Sequence, residues 1–263
     1  CTASLAAKSQ GMMLDGTSRL SWNGEKIFHT SGVSCFAEFS VASELSVVAI
    51  DPELPLAEAA LFGCAVMTGL GSVVNTARVP AGAAVAVVGL GGVGLSAILG
   101  AVLVGADRII AVDLHDEKLS LAGEIGATHS FRASDPDCIE AVRELTGGGV
   151  DFAFEMSGVT QGMNTAYDLV RRGGTMVTAS LPNIADEFSV NAYDLVSGEK
   201  SVRGCYMGSC VPSRDIPKFL RMYKRGRLPV EKLMSALITL DDINTGYDRL
   251  SDGKVARQVI EFS

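Results

Sequence analysis

From Ala84 onward the chain alternates short apolar runs with longer segments in which apolar residues return every three or four positions. The short runs are AVAVV (84–88), RIIAV (108–112), THSF (128–131), DFAFE (151–155), TMVTA (175–179) and SVRGC (201–205). Helical spacing covers 93–104, 116–125, 136–146 and 160–171, and more loosely 191–197. Several of the short runs are apolar at successive rather than alternate positions, as in strands covered by helices on both faces. Six such strands with right-handed crossovers predict an α/β protein built on a doubly wound parallel sheet.

The flanks follow other patterns. KIFHT (26–30), CFAEFSV (35–41) and LSVVAI (45–50), punctuated by Gly and Ser, predict an antiparallel β unit. Pro55 and the apolar spacing after it predict a short helix and then a longer one, broken near Gly63. After Tyr206 come an amphipathic basic helix in SRDIPKFLRMYKRGRL, strands in ALITL and RQVIEF, and a capped helix in DDINTGYDRLSDG closed by Gly253. No internal repeat or low-complexity segment is visible.

The stretch VAVVGLGGVGLSA (85–97) carries the candidate chemistry. Gly89, Gly91, Gly92 and Gly94 stand between a predicted strand and a predicted helix, at the start of a βαβ unit. In that setting Gly89 permits the tight turn, Gly91 lets backbone approach a ligand, and Gly94 lets helix and strand pack closely. Leu90 and Val93 complete the loop, whose helix N-terminus offers unpaired N–H groups and partial positive charge to a pyrophosphate. Asp113, 24 residues beyond Gly89, ends the next strand. Its carboxylate would accept hydrogen bonds from the adenosine ribose and repel a 2′-phosphate, which favours NAD over NADP. Lys118, one turn into the following helix, would add a ribose contact. Asp113 could instead be a helix N-cap, a role that Asp116 suits better. S-adenosylmethionine sites use a similar loop and acid and stay open as an alternative.

Composition narrows the classes. The 263 residues are 48% hydrophobic, enough for one large domain plus part of another. A net charge of -8 without a basic run argues against a nucleic-acid partner. The apolar runs fall short of the ~20 residues that span a bilayer, and no signal peptide is visible. Six cysteines, at 1, 35, 64, 138, 205 and 210, include no CxxC pair and read as reduced thiols or metal ligands, with a cytoplasmic home as the expectation. The opening CTASLAAKSQGMMLDGTSRL, polar and irregular, has the look of the middle of a longer protein.

FGCAVMTGLGSVVNTARV followed by VAVVGLGGVGLSA resembles the zinc-type alcohol dehydrogenases of the medium-chain dehydrogenase/reductase superfamily. The similarity continues through AVDLHDEK, EIGAT, DFAFEMSG and RRGGTMVTASLP and ends in GKVARQVIEF, nearest the glutathione-dependent formaldehyde dehydrogenase (class III) branch. It implies three segments: 1–64 from a mainly β, GroES-like catalytic domain that is incomplete here, 65–206 as the NAD-binding Rossmann domain, and 207–263 returning to the catalytic domain. It also implies NAD and zinc as cofactors, a small alcohol or aldehyde as substrate, and a homodimer, or dimer of dimers, through the edge strand at 201–205.

By position, the resemblance makes Cys64 a ligand of the catalytic zinc and Thr68 the residue packed on the nicotinamide ring. Thr178, Ser180 and Met207 fall where backbone groups meet the carboxamide, and Arg257 where an arginine binds the pyrophosphate. Cys1 matches the last cysteine of a structural zinc lobe. Each has a plainer alternative: Cys64 a buried cysteine at a helix start, Thr68 a hydroxyl bonded to its own helix, Arg257 a solvated surface charge. The family's other two catalytic zinc ligands and its proton relay have no counterpart, since His29, His115 and His129 match no ligand motif. An NAD-binding module without dehydrogenase chemistry is therefore the competing expectation, and a zinc-free reductase of the same superfamily is a third that Cys64 argues against.

Overall fold

The structure is a computed structural model and describes residues 7, 9–253 and 255–262. Its centre is a six-stranded, wholly parallel sheet of β3 (Ala84–Val88), β4 (Arg108–Asp113), β5 (His129–Arg132), β6 (Val150–Glu155), β7 (Val170–Thr178) and β8 (Ser201–Gly204). Spatial order is β5-β4-β3-β6-β7-β8, so strand order reverses between β3 and β6 and opens a crevice at their carboxyl ends. The two central strands are nearly free of solvent contact because helices cover both faces.

One face packs against α2 (Ala65–Gly71) and α3 (Gly92–Val104), with Leu70, Leu95, Ile98 and Phe154 fully buried in a common core. The other face carries α5 (Cys138–Thr146) and α6 (Thr160–Leu169), packed through Val142, Ala166, Leu169 and Met176. Small residues make the first face tight: a side chain on Gly69 would strike the Val93 carbonyl of α3. Before α2 lies the short helix α1 (Leu56–Ala60), and α2 continues as a π-helical turn over Ser72–Ala77. The break expected near Gly63 is present as a 3-10 turn, Leu61–Gly63.

The six strands predicted for the large sheet all form, with shifted ends. β7 starts at Val170, because its first residue pairs with Val150 across a bulge, and the helix predicted over 160–171 therefore stops at Leu169. The helix predicted over 136–146 starts at Cys138. α4 (Asp116–Glu124) begins at Asp116 with His115 as its N-cap and no side-chain cap bond, so Asp116 does not cap it as expected. After α7 (Ala192–Ser197) and β8, the basic amphipathic segment forms α8 (Pro212–Lys224). Then β9 (Met234–Ile238) and β10 (Arg257–Ile260) pair in parallel around α9 (Ile243–Ser251).

The antiparallel unit expected at 26–50 is corrected. Two exposed three-residue strands, β1 (Leu20–Trp22) and β2 (Glu25–Ile27), form a hairpin, and between Phe28 and Ile50 no strand forms. The hairpin turns on Asn23 (φ +49°) and Gly24 (φ +81°). An Asn-Gly pair with both residues left-handed is the turn that matches strand twist. That dipeptide was the legible signal. The apolar runs after it lack strand partners and remain irregular.

Candidate functional site

Gly89 follows β3 at φ +90°, and a side chain there would lie 2.6 Å from the Ser157 backbone nitrogen beside it. A β-carbon on Gly94 would strike the Gly89 carbonyl, so α3 can press against its own strand only as glycine. Gly91, the N-cap of α3, has open space where a side chain would stand. Turn and close packing thus demand glycine at two of these positions, and nothing in the described chain crowds the third. Gly92 adds a fourth: its β-carbon would fall on the Arg257 guanidinium.

Two charged groups converge on this loop from distant parts of the chain. Asp113, 7% exposed, accepts the Leu90 N–H on Oδ2 at 2.6 Å and the His115 N–H on Oδ1 at 3.0 Å. The acid therefore holds the loop's shape. Arg257 comes from β10 to the N-terminal turn of α3, and its Nε is buried without a partner. Burial pushes its pKa down, and the Cys64 thiol nearby opposes that shift. A partly buried guanidinium whose Nε has no partner, set over a helix N-terminus, is an arrangement that can receive an anion. These residues fit a dinucleotide. Lys118 lies partly buried in the first turn of α4.

Thr178 and Ser180 stand at the carboxyl end of β7, and Met207 follows β8. Thr178 ends β7 in register with Glu155, and its hydroxyl donates to Glu155 Oε2 at 2.7 Å. Met207 (φ +52°), Gly208 (φ +66°) and Ser209 (φ +49°) form a run of left-handed residues docked on α2. Asn75 Nδ2 donates to the Gly208 carbonyl at 3.3 Å, and a side chain on Gly71 would strike that same carbonyl. Strain of this kind, ~1–3 kcal/mol for each non-glycine residue, persists only where packing over-determines it. Thr68 is buried in α2. Its backbone N–H bonds to the Cys64 carbonyl at 2.9 Å. Sequence reasoning missed Glu155, whose signal was a carboxylate directly after the apolar run Phe152–Phe154.

The metal side of the site is different. Cys64 is an exposed free thiol at the N-cap of α2, not a buried one. Among the described residues no three His, Cys, Asp or Glu side chains lie together as metal ligands. The described residues therefore do not fit a bound zinc. Cys1 lies outside the described residues.

Residues 92–225 match the family model described as zinc-binding dehydrogenase. An S-(hydroxymethyl)glutathione dehydrogenase of Synechocystis is 37% identical over 265 aligned residues, spanning all of this chain and 72% of that protein. The chain belongs to the zinc-binding dehydrogenase family. A second S-(hydroxymethyl)glutathione dehydrogenase, from Paracoccus denitrificans, is 35% identical with the same coverage. A solved alcohol dehydrogenase zinc-binding domain protein from Burkholderia ambifaria superposes with a TM-score of 0.94 at 31% identity, over all of this chain and 71% of that one. Benzyl alcohol dehydrogenase from Acinetobacter calcoaceticus superposes at 0.88 with 29% identity, over 94% and 69% of the two chains. NAD and zinc are the cofactors of such dehydrogenases.

Proposed function

We propose that this zinc-binding dehydrogenase chain supplies the NAD-binding half of an oxidoreductase acting between an alcohol and its aldehyde. The observation that carries the proposal is Arg257, set over Gly92 at the start of α3 with its buried Nε unpaired. When bound, NAD accepts or returns a hydride at its nicotinamide ring. The chain's own residues orient it: Arg257 and the N-terminus of α3 hold the pyrophosphate, Asp113 takes the ribose hydroxyls, and Lys118 assists. Thr68 covers the ring while backbone at Thr178, Ser180 and Met207 meets the carboxamide. Residues 65–206 form the cofactor domain, and 1–64 and 207–263 belong to the catalytic domain. The names of the relatives support S-(hydroxymethyl)glutathione or a simple alcohol as substrate class.

Cys64, and Cys1 for a structural site, are the positions assigned to zinc, yet Cys64 alone cannot hold the ion against water. That lone donor favours a second reading, an NAD-binding module whose chemistry needs ligands from elsewhere. β8 is an edge strand with Val202 exposed, which supports pairing with a second copy. No single helix among the described residues is long and apolar enough to cross a membrane. The described cysteines are free thiols, which supports a cytoplasmic home.

The test is calorimetry with NAD and NADP. NAD is expected to bind at least about tenfold tighter, and Asp113→Gly to narrow the gap. Equal affinities would sink the role of Asp113. Metal analysis of the 263-residue chain is expected to find zinc well below one per chain. Stoichiometric zinc, with alcohol turnover that Cys64→Ala abolishes, would overturn the module.

A further inference from the structure

Glu155 is fully buried at the carboxyl end of β6, on the boundary where strand order reverses. In register it stands between Val88, the last residue before Gly89, and Thr178. Five donors converge on its carboxylate. Oε1 accepts the backbone N–H groups of Ser157 at 2.6 Å and Gly158 at 2.8 Å, and the Ser157 hydroxyl at 2.8 Å. The Ser180 hydroxyl reaches Oε1 at 3.5 Å, and the Thr178 hydroxyl donates to Oε2 at 2.7 Å. Every one of these partners is a neutral N–H or O–H, so the carboxylate is solvated by dipoles rather than paired with a cation.

The arrangement ties three loops to one group. Ser157 and Gly158 follow β6 and lead into α6. Thr178 and Ser180 end β7. Gly89 closes against Ser157. A buried acid costs several kcal/mol to desolvate unless something offsets it, and a plain loop clamp could be built from an amide. A carboxylate at the mouth of the crevice does something an amide cannot: it sets a negative potential in a low-dielectric wall.

We propose that Glu155 is a positioning residue for the nicotinamide half of the cofactor, and that its negative charge favours the oxidised, cationic ring over the reduced, neutral one. This rests on the NAD-binding reading of the crevice. Thr178 and Ser180 are held for the carboxamide through Glu155, while the adenosine half is held separately by Asp113 and Arg257.

The two halves can be measured apart. ADP-ribose carries the adenosine and both phosphates without the ring. Calorimetry of the full chain with ADP-ribose, NAD+ and NADH is run for the parent and for Glu155→Gln, whose amide oxygen can still accept from Ser157 and Gly158 and whose amide nitrogen can donate to Thr178. The variant is expected to bind ADP-ribose within about twofold of the parent. It should lose about tenfold for NAD+ and much less for NADH. Equal losses for all three ligands, or an unchanged NAD+ to NADH ratio, would overturn the proposal. Thr178→Val keeps the charge and cuts the tether, so it is expected to weaken NAD+ and NADH by the same factor and to spare ADP-ribose. A loss confined to ADP-ribose in that variant would also overturn it. A parent chain that binds none of the three refutes the cofactor site itself, an outcome distinct from a parent that binds all three with an unmoved ratio.

Discussion

Residues 84–205 and residues 9–50 contain comparable apolar runs and fold in opposite ways. In the first region DFAFE becomes a central strand with Phe154 sealed between sheet and helices. In the second CFAEFSV forms no strand, and Phe39 is 91% exposed. Trp22, in the hairpin, is 68% exposed. The residue types hardly differ. What differs is that each strand of the large sheet has a hydrogen-bonded neighbour on at least one side, and the inner strands have helices to bury them, whereas the runs at 35–50 have neither. An apolar run makes a strand only where partners satisfy its backbone.

Paired substitutions break this comparison most sharply. Phe154→Ala is expected to destabilise the chain by ~3–5 kcal/mol through cavity formation. Phe39→Ala should stay within about 0.5 kcal/mol, as exposed positions do. Urea unfolding monitored by far-UV circular dichroism reads both. Similar costs at the two positions would mean that the 35–50 segment is packed in solution.

A smaller effect is expected at Asp215 in α8. Its carboxylate is 2% exposed and accepts the Val211 N–H at the helix start, while Arg214 grips it with two bonds. Asp215→Asn should cost ~1–3 kcal/mol by stranding these donors. Arg214, above all, holds the Asp215 pKa below its ordinary 3.8. A depressed carboxylate stabilises the fold fully above the unfolded value and loses that contribution as pH falls through the folded one. The parent should therefore lose stability below pH ~4 more steeply than Asp215→Asn.

The smallest effect concerns Cys210, beside the left-handed run. Burial first, then the negative charge of Asp215, raises its thiol from 9.0 to about 11. A raised acid stabilises the fold below its unfolded pKa and ceases to do so as pH climbs through the folded one. Thermal melts should thus fall between pH 9 and about 11, and Cys210→Ala should flatten that part of the profile. An unchanged profile would show that the thiol is not shielded. Asp215 and Cys210 interact, so their double variant is expected to be non-additive.

Much of the site was legible in the sequence because its demands are local. Gly89 and Gly94 are needed by a turn and a helix within one βαβ unit, and Asp113 ends the neighbouring strand, so spacing alone places all three. Asp113 also gave a clean choice between NAD and NADP as an expectation. Cys64, Thr68, Thr178, Ser180, Met207 and Arg257 had no such local signature, and only a family likeness singled them out.

The sequence by itself determined the alternation of strand and helix, the Gly-rich loop and the acid beyond it, since short unbroken apolar runs, a 3.6-residue period and left-handed glycines are written into neighbouring residues. Tertiary structure alone decided that Arg257, 165 positions after Gly92, comes to lie over it. It decided too that Glu155 gathers donors from two strand ends, and that three successive residues at Met207–Ser209 are held left-handed against α2. It also left the apolar run at 35–41 without a strand. Each of these depends on which surfaces meet across long stretches of chain, and hydrogen-bond partners and burial are properties of that meeting rather than of any local pattern.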